Sequence, residues 1–116
     1  MTDSPYPERT PDLLRRRRDL VPDTAAAFAK FSAEVFAAGA LDEKTKQLIA
    51  VAVAHVTQCP YCIDGHTKQA VRKGATEQEV MEAIWVAAEM RAGGAYAHSV
   101  IALHAMDAAH SAVHAH

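Results

Sequence analysis

Apolar positions recur along this chain at three- and four-residue intervals, without sustained alternation. That spacing belongs to helices, where residues three and four apart share a face. One stripe is Phe28, Phe31 and Val35, filled in by Ala25 and Ala29. Pro22 suits the first turn of that helix, and Gly39 suits its end. Ahead of it, residues 12–20 predict a short helix. Residues 1–11, with Pro5, Pro7 and Pro11, predict an extended arm.

The next start signal is Leu41-Asp42-Glu43, with Asp42 as N-cap and Glu43 in the first turn. The run from Gln47 to Val56 is apolar on nearly every side, which predicts the buried helix of the domain or of its oligomer. Its valines also suit a strand, but its length and alanine content favour helix. Pro60 is tolerated at a first helical position, so Cys59 is expected to cap a helix that stops at Gly74. Thr76 and Glu79 form a capping box opening a helix with Val80, Ile84, Trp85 and Ala88 inside. Gly93-Gly94 is expected to break it, and a last helix to run from about Ala95 into the tail. Five to six helices and no strand predict an all-α fold, with the helical domain over residues 12–116.

Composition agrees with this pattern. The chain has 116 residues, half of them hydrophobic and many of those alanine. That is one domain with a modest core, so self-association is expected. The formal net charge is −2. There is no basic excess to attract nucleic acid, and Arg15-Arg16-Arg17-Arg18 reads as a solvated helix face or an oligomer contact. The N-terminus carries no apolar leader, and no run approaches the ~18 residues of a membrane span. A cytoplasmic location follows as an expectation, with no membrane partner. In that compartment a Cys-x-x-Cys pair points to redox chemistry or metal binding.

Both cysteines lie in Gln58-Cys59-Pro60-Tyr61-Cys62-Ile63-Asp64-Gly65-His66. On a helix, Cys62 lies ~60° from Cys59 and His66 ~40° from Cys62, so the three share a face. The two cysteine Cα atoms fall ~5 Å apart, inside the roughly 4.4–6.8 Å range of a disulfide. Free N–H groups and the positive end of the helix dipole favour a thiolate at this position. His66, one turn further in, is placed to exchange a proton with Cys62. Such a set suits a thiol peroxidase or a dithiol reductase.

Three other readings compete. Glutaredoxin-type proteins also use Cys-Pro-Tyr-Cys, but they need a strand before it, and here a helical run precedes it. Zinc would need His55, Cys59, Cys62 and His66 to converge within ~2.0–2.3 Å of one ion. On one straight helix His55 and His66 stand ~16 Å apart, so only a sharp bend at Pro60 would gather them. The bland reading is two small core cysteines and a satisfied histidine. The tail histidines His98, His104, His110, His114 and His116 read as surface, with His110 and His114 as a weak metal pair.

Residues 41–96 resemble the carboxymuconolactone decarboxylase/AhpD-like family, the alkylhydroperoxidase-like proteins. The resemblance rests on Leu41-Asp42-Glu43-Lys44-Thr45-Lys46-Gln47-Leu48-Ile49-Ala50, on Cys59-Pro60-Tyr61-Cys62-Ile63-Asp64-Gly65-His66-Thr67 with Ala70, and on Gly74-Ala75-Thr76 with Glu79. It implies an all-helical fold assembled as a homotrimer or homohexamer, with peroxidase or disulfide-reductase activity. It makes Cys62 the peroxidatic thiol, Cys59 the resolving thiol and His66 part of a proton relay. It implies a hydroperoxide substrate, a dithiol donor such as a lipoyl group or a thioredoxin-type protein, and no metal, haem or flavin cofactor.

The chain departs from that pattern at Gln47, where active members carry a relay glutamate. An amide can hydrogen-bond and orient His66 or a water but cannot take a proton. Glu43, one turn earlier, is a possible substitute. Tyr61 stands where the best-known member has histidine, and offers a pocket hydrogen bond or packing at the pocket mouth. The family's lactone decarboxylases do not depend on the dithiol, so the intact motif argues for the redox branch. An oligomer that only senses redox state or binds a metal is the alternative.

Overall fold

A computed structural model describes residues 5–114 of the chain, with side chains up to residue 113. Five helices and no strand are present among them: α1 (Pro11–Leu20), α2 (Pro22–Phe36), α3 (Glu43–Thr57), α4 (Pro60–Arg72) and α5 (Glu77–His114). The expected all-α fold is therefore the observed one. The first two helices form one compact unit, and α3, α4 and α5 form another.

In the first unit, α1 begins at Pro11 because Thr10 caps it, its hydroxyl accepting the Leu13 N–H at 3.2 Å. The helix thus takes in Pro11, the last residue of the expected arm over residues 1–11, of which residues 1–4 lie outside the described residues. α2 ends at Phe36 and not at Gly39, because Ala37 leaves the helix in an extended conformation. The predicted stripe on α2 is helical but exposed: Phe28 and Phe31 are 67% and 62% accessible.

In the second unit each helix start follows its sequence signal. The Asp42 carboxylate accepts the Thr45 N–H at 2.7 Å and opens α3. At α5 the capping box closes in both directions. Glu79 N–H donates to Thr76 Oγ1 at 3.1 Å, and Thr76 N–H donates to Glu79 Oε1 at 2.9 Å. The other oxygen of Glu79 takes the Lys44 ammonium at 2.8 Å, so one carboxylate caps α5 and ties it to α3. Gly74 adopts a φ of +96°, which only glycine takes at little cost, and turns the chain from α4 towards α5.

The expected break in the last helix is corrected. Gly93-Gly94 does not break the last helix, and α5 runs unbroken for 38 residues. Two glycines cost about 2 kcal/mol in a helix interior, and alanine-rich turns on both sides carry the helix through. The expectation for α3, burial in the domain or in its oligomer, is met on one side within the chain. Gln47, Val51 and Ala54 are buried, but Ile49, Val53 and Val56 on the other side are exposed. Within this unit α4 and α5 cover only one side of α3.

The core is small. Val51 and Ala70 are fully inaccessible, joined by Ala75 and Val80, with Leu48 and Ile84 packed against them. Val51 is the largest side chain fully buried. Val51→Ala is therefore expected to destabilise the protein by about 2 kcal/mol, measured by chemical denaturation. A second expectation concerns acid. The Glu79 carboxyl is held below its usual range by the Lys44 ammonium and then by the Thr76 N–H. Asp42 is held below it by hydrogen bonding from Thr45. A lowered folded-state value stabilises the fold above the ordinary carboxylate range of about 4 and is lost as pH falls through the folded value. The melting temperature should fall below pH 4, and Glu79→Gln should make that fall shallower.

Candidate functional site

The site begins with a turn. α3 ends at Gln58 in the left-handed region, with φ 58° and ψ 45°. Its side-chain amide donates to the His55 carbonyl at 2.6 Å, and the next N–H, of Cys59, donates to the Ala54 carbonyl at 3.2 Å. A non-glycine residue here costs of order 1 kcal/mol, and these bonds hold it in place. The chain reverses, and α4 starts immediately with Pro60 at its first position.

Cys59 is the N-cap of α4, as its place before Pro60 predicts. Its sulfur accepts the Cys62 N–H at 3.2 Å. The two cysteines are joined as a disulfide, with Cα atoms 5.2 Å apart, close to the spacing a helical turn dictates. Both are partly accessible at the positive end of the helix dipole, where a thiolate is stabilised once the bond is reduced.

His66 lies one turn beyond Cys62. Its Nδ1 is 2.8 Å from Oε1 of Gln47, across nineteen residues of sequence and from α4 to α3. An amide oxygen only accepts, so Nδ1 carries the hydrogen, and in the neutral ring Nε2 is the basic nitrogen. Gln47 is only 7% exposed, the one buried polar side chain among the described residues. A polar group in such a place is held by its hydrogen bonds, and this one fixes both the ring orientation and the tautomer of His66.

The remaining candidates divide. Glu43 shares α3 with Gln47, but its carboxylate is paired with Lys73 beyond the end of α4. Tyr61 is half-buried beside the disulfide. His55 donates through Nδ1 to the Val51 carbonyl at 2.7 Å, closing a bond within its own helix. The chain does bend before Pro60, yet among the described residues no three His, Cys, Asp or Glu side chains are placed to hold one metal ion. His98, His104 and His110 are exposed on α5, while the side chain of His114 and all of His116 lie outside the described residues. Sequence reasoning missed Gln58, whose turn folds α4 back beside α3. The only signal was its place between an apolar run and a Cys-Pro pair.

No helix among the described residues is long and apolar enough to cross a membrane. The carboxymuconolactone decarboxylase family model matches residues 22–105. The chain is 69% identical over 81 residues to uncharacterized protein 4 in the cox locus of Paracoccus denitrificans, covering 70% of this chain and 73% of that one. An uncharacterized protein of Haemophilus influenzae is 42% identical over 84 residues, covering 72% and 74% of the two chains. The fold is similar to the crystal structure of a carboxymuconolactone decarboxylase family protein from Legionella pneumophila, with TM-score 0.64 and 38% identity over 66% of this chain and 69% of that one. A protein from Methanobacterium thermoautotrophicum aligns with TM-score 0.68 and 36% identity over 72% of this chain and 93% of its own. With its helices, its dithiol turn and the matched span in agreement, this chain belongs to the carboxymuconolactone decarboxylase family.

Proposed function

We propose that the protein is a thiol-dependent peroxidase or dithiol–disulfide oxidoreductase working through Cys59, Cys62 and His66. The observation that carries this reading is the disulfide at the start of α4 with a histidine one turn in, its tautomer held by Gln47. In the dithiol form the Cys62 thiolate attacks the terminal oxygen of a hydroperoxide. The O–O bond breaks, Cys62 becomes a sulfenic acid, and the alcohol leaves with a proton delivered through His66 Nε2. The Cys59 thiolate then attacks Cys62 sulfur, a water molecule leaves, and the disulfide forms. A dithiol donor, such as a lipoyl group or a thioredoxin-type protein, supplies two electrons and two protons to restore both thiols.

In this scheme Gln47 is a positioning residue. It holds Nδ1–H so that Nε2 faces the chemistry, but it cannot itself relay a proton. That feature also favours a second reading, a non-catalytic oligomer whose dithiol only reports redox state. The two readings differ in turnover. A homotrimer or homohexamer in the cytoplasm completes the proposal.

Peroxide consumption by the purified protein with a small dithiol donor tests the chemistry. Cys62→Ser should fall to the uncatalysed background. Cys59→Ser should retain one oxidation per chain and accumulate a sulfenic acid detectable by mass spectrometry. Wild-type turnover by Cys62→Ser would remove Cys62 from the mechanism, and absence of turnover in every form would leave the sensor reading. The role of Gln47 has a separate test. Gln47→Leu should lower kcat/KM on the order of a hundredfold by releasing the histidine, and Gln47→Glu should raise it while shifting its pH profile. No gain in Gln47→Glu would show that no proton passes through this position.

A further inference from the structure

Because α5 does not break, it carries a straight apolar line along its exposed side. At 100° per residue, Met81, Trp85, Ala88, Ala92, Tyr96, Ser99 and Leu103 fall within about 80° of one another over ~33 Å. All seven are exposed, Trp85 by 69% and Tyr96 by 83%. A single surface tryptophan is ordinary, but an unbroken line of this length marks an interaction surface.

The order of sizes along the line identifies the occupant. Turned end for end about Ala92, the line complements itself. Tyr96 falls opposite Ala88, Trp85 opposite Ser99, and Met81 opposite Leu103, with Ala92 facing its own copy. Each ring meets a small residue. A parallel pairing would instead set Trp85 on Trp85 and Tyr96 on Tyr96, and leave the alanines facing a gap. Ser99 brings no unsatisfied group beneath the indole, since its hydroxyl already donates to the Tyr96 carbonyl of its own helix. Alanine at the crossing allows the close end of the usual 8–10 Å interhelix distance, and antiparallel helices oppose their dipoles favourably.

We infer that α5 packs antiparallel against α5 of a second copy of this chain, across a two-fold axis at Ala92. Such a contact is isologous and closes as a dimer, or supplies the two-fold contacts of a hexamer. Of the two assemblies proposed above, only the hexamer contains such an axis.

Two independent measurements test this. The first uses Ala92→Cys in a Cys59→Ser/Cys62→Ser background, with Ala97→Cys on the opposite side of α5 as its control. Mild oxidation should join two Ala92→Cys chains rapidly into a covalent dimer and leave the Ala97→Cys chains single. Equal cross-linking at both positions would overturn the inference. The second is light scattering on Ala92→Glu/Tyr96→Glu. Both side chains are exposed, so helix content by circular dichroism should persist while the particle mass falls at least twofold. An unchanged mass in the folded variant, or a monomeric wild type, would equally overturn it.

Discussion

The site depends on the chain reversing direction within Gln58, Cys59 and Pro60. A left-handed residue ends α3, and the next residue but one begins α4. There is no loop between them to add freedom. That abrupt reversal does three things at once. It makes Cys59 the cap of α4, so that its sulfur accepts the Cys62 N–H. It lays α4 back along α3, so that His66 reaches Gln47. It also gathers Val51 of α3 and Ala70 of α4 into one core with Ala75 and Val80. The same packing that buries this core sets the distance between the histidine and the residue that orients it.

Gln47 gives the site its particular character. A glutamate at this depth would introduce a charge that only pairing with the histidine could offset. The amide avoids that desolvation and still accepts the Nδ1 hydrogen. In the proposed mechanism the proton-transfer burden then rests on His66 Nε2. Glu43, the nearest alternative carboxylate in sequence, is engaged by Lys73. The charged residues around the bundle thus tie helices together, while a neutral buried side chain sets the geometry of the chemistry.

Much of this is legible in the sequence. Asp42, Cys59-Pro60 and Thr76 with Glu79 each announced a helix start, because capping is local chemistry that depends on a few adjacent residues. The spacing of Cys59 and Cys62 likewise fixed their Cα separation. What stayed hidden was non-local or energetic. The family resemblance names His66 as a partner for Gln47, but no local spacing gives that bond, which spans nineteen residues and exists only once the Gln58 turn is made. Nothing in a glutamine advertises a left-handed conformation, since its own side-chain bond to His55 carries part of that cost. Gly93-Gly94 misled in the opposite direction. Two glycines weaken a helix without ending it when good helix formers continue on both sides, and propagation needs no new nucleus.

The disulfide has a consequence for the lifetime of the fold. It bridges residues only three apart in sequence. A cross-link restricts the unfolded chain according to the loop it closes, and so small a ring is worth only about 2 kcal/mol by chain entropy, against nearly 5 for a loop of a hundred residues. The bond is a modest staple, worth about as much as the side-chain atoms lost in Val51→Ala. Helix capping, the Val51 core and the ion pairs hold the bundle whether it is open or closed. In the proposed redox cycle each reduction therefore gives up about 2 kcal/mol, a fraction of a typical folding free energy of roughly 5–15 kcal/mol, and leaves the bundle folded.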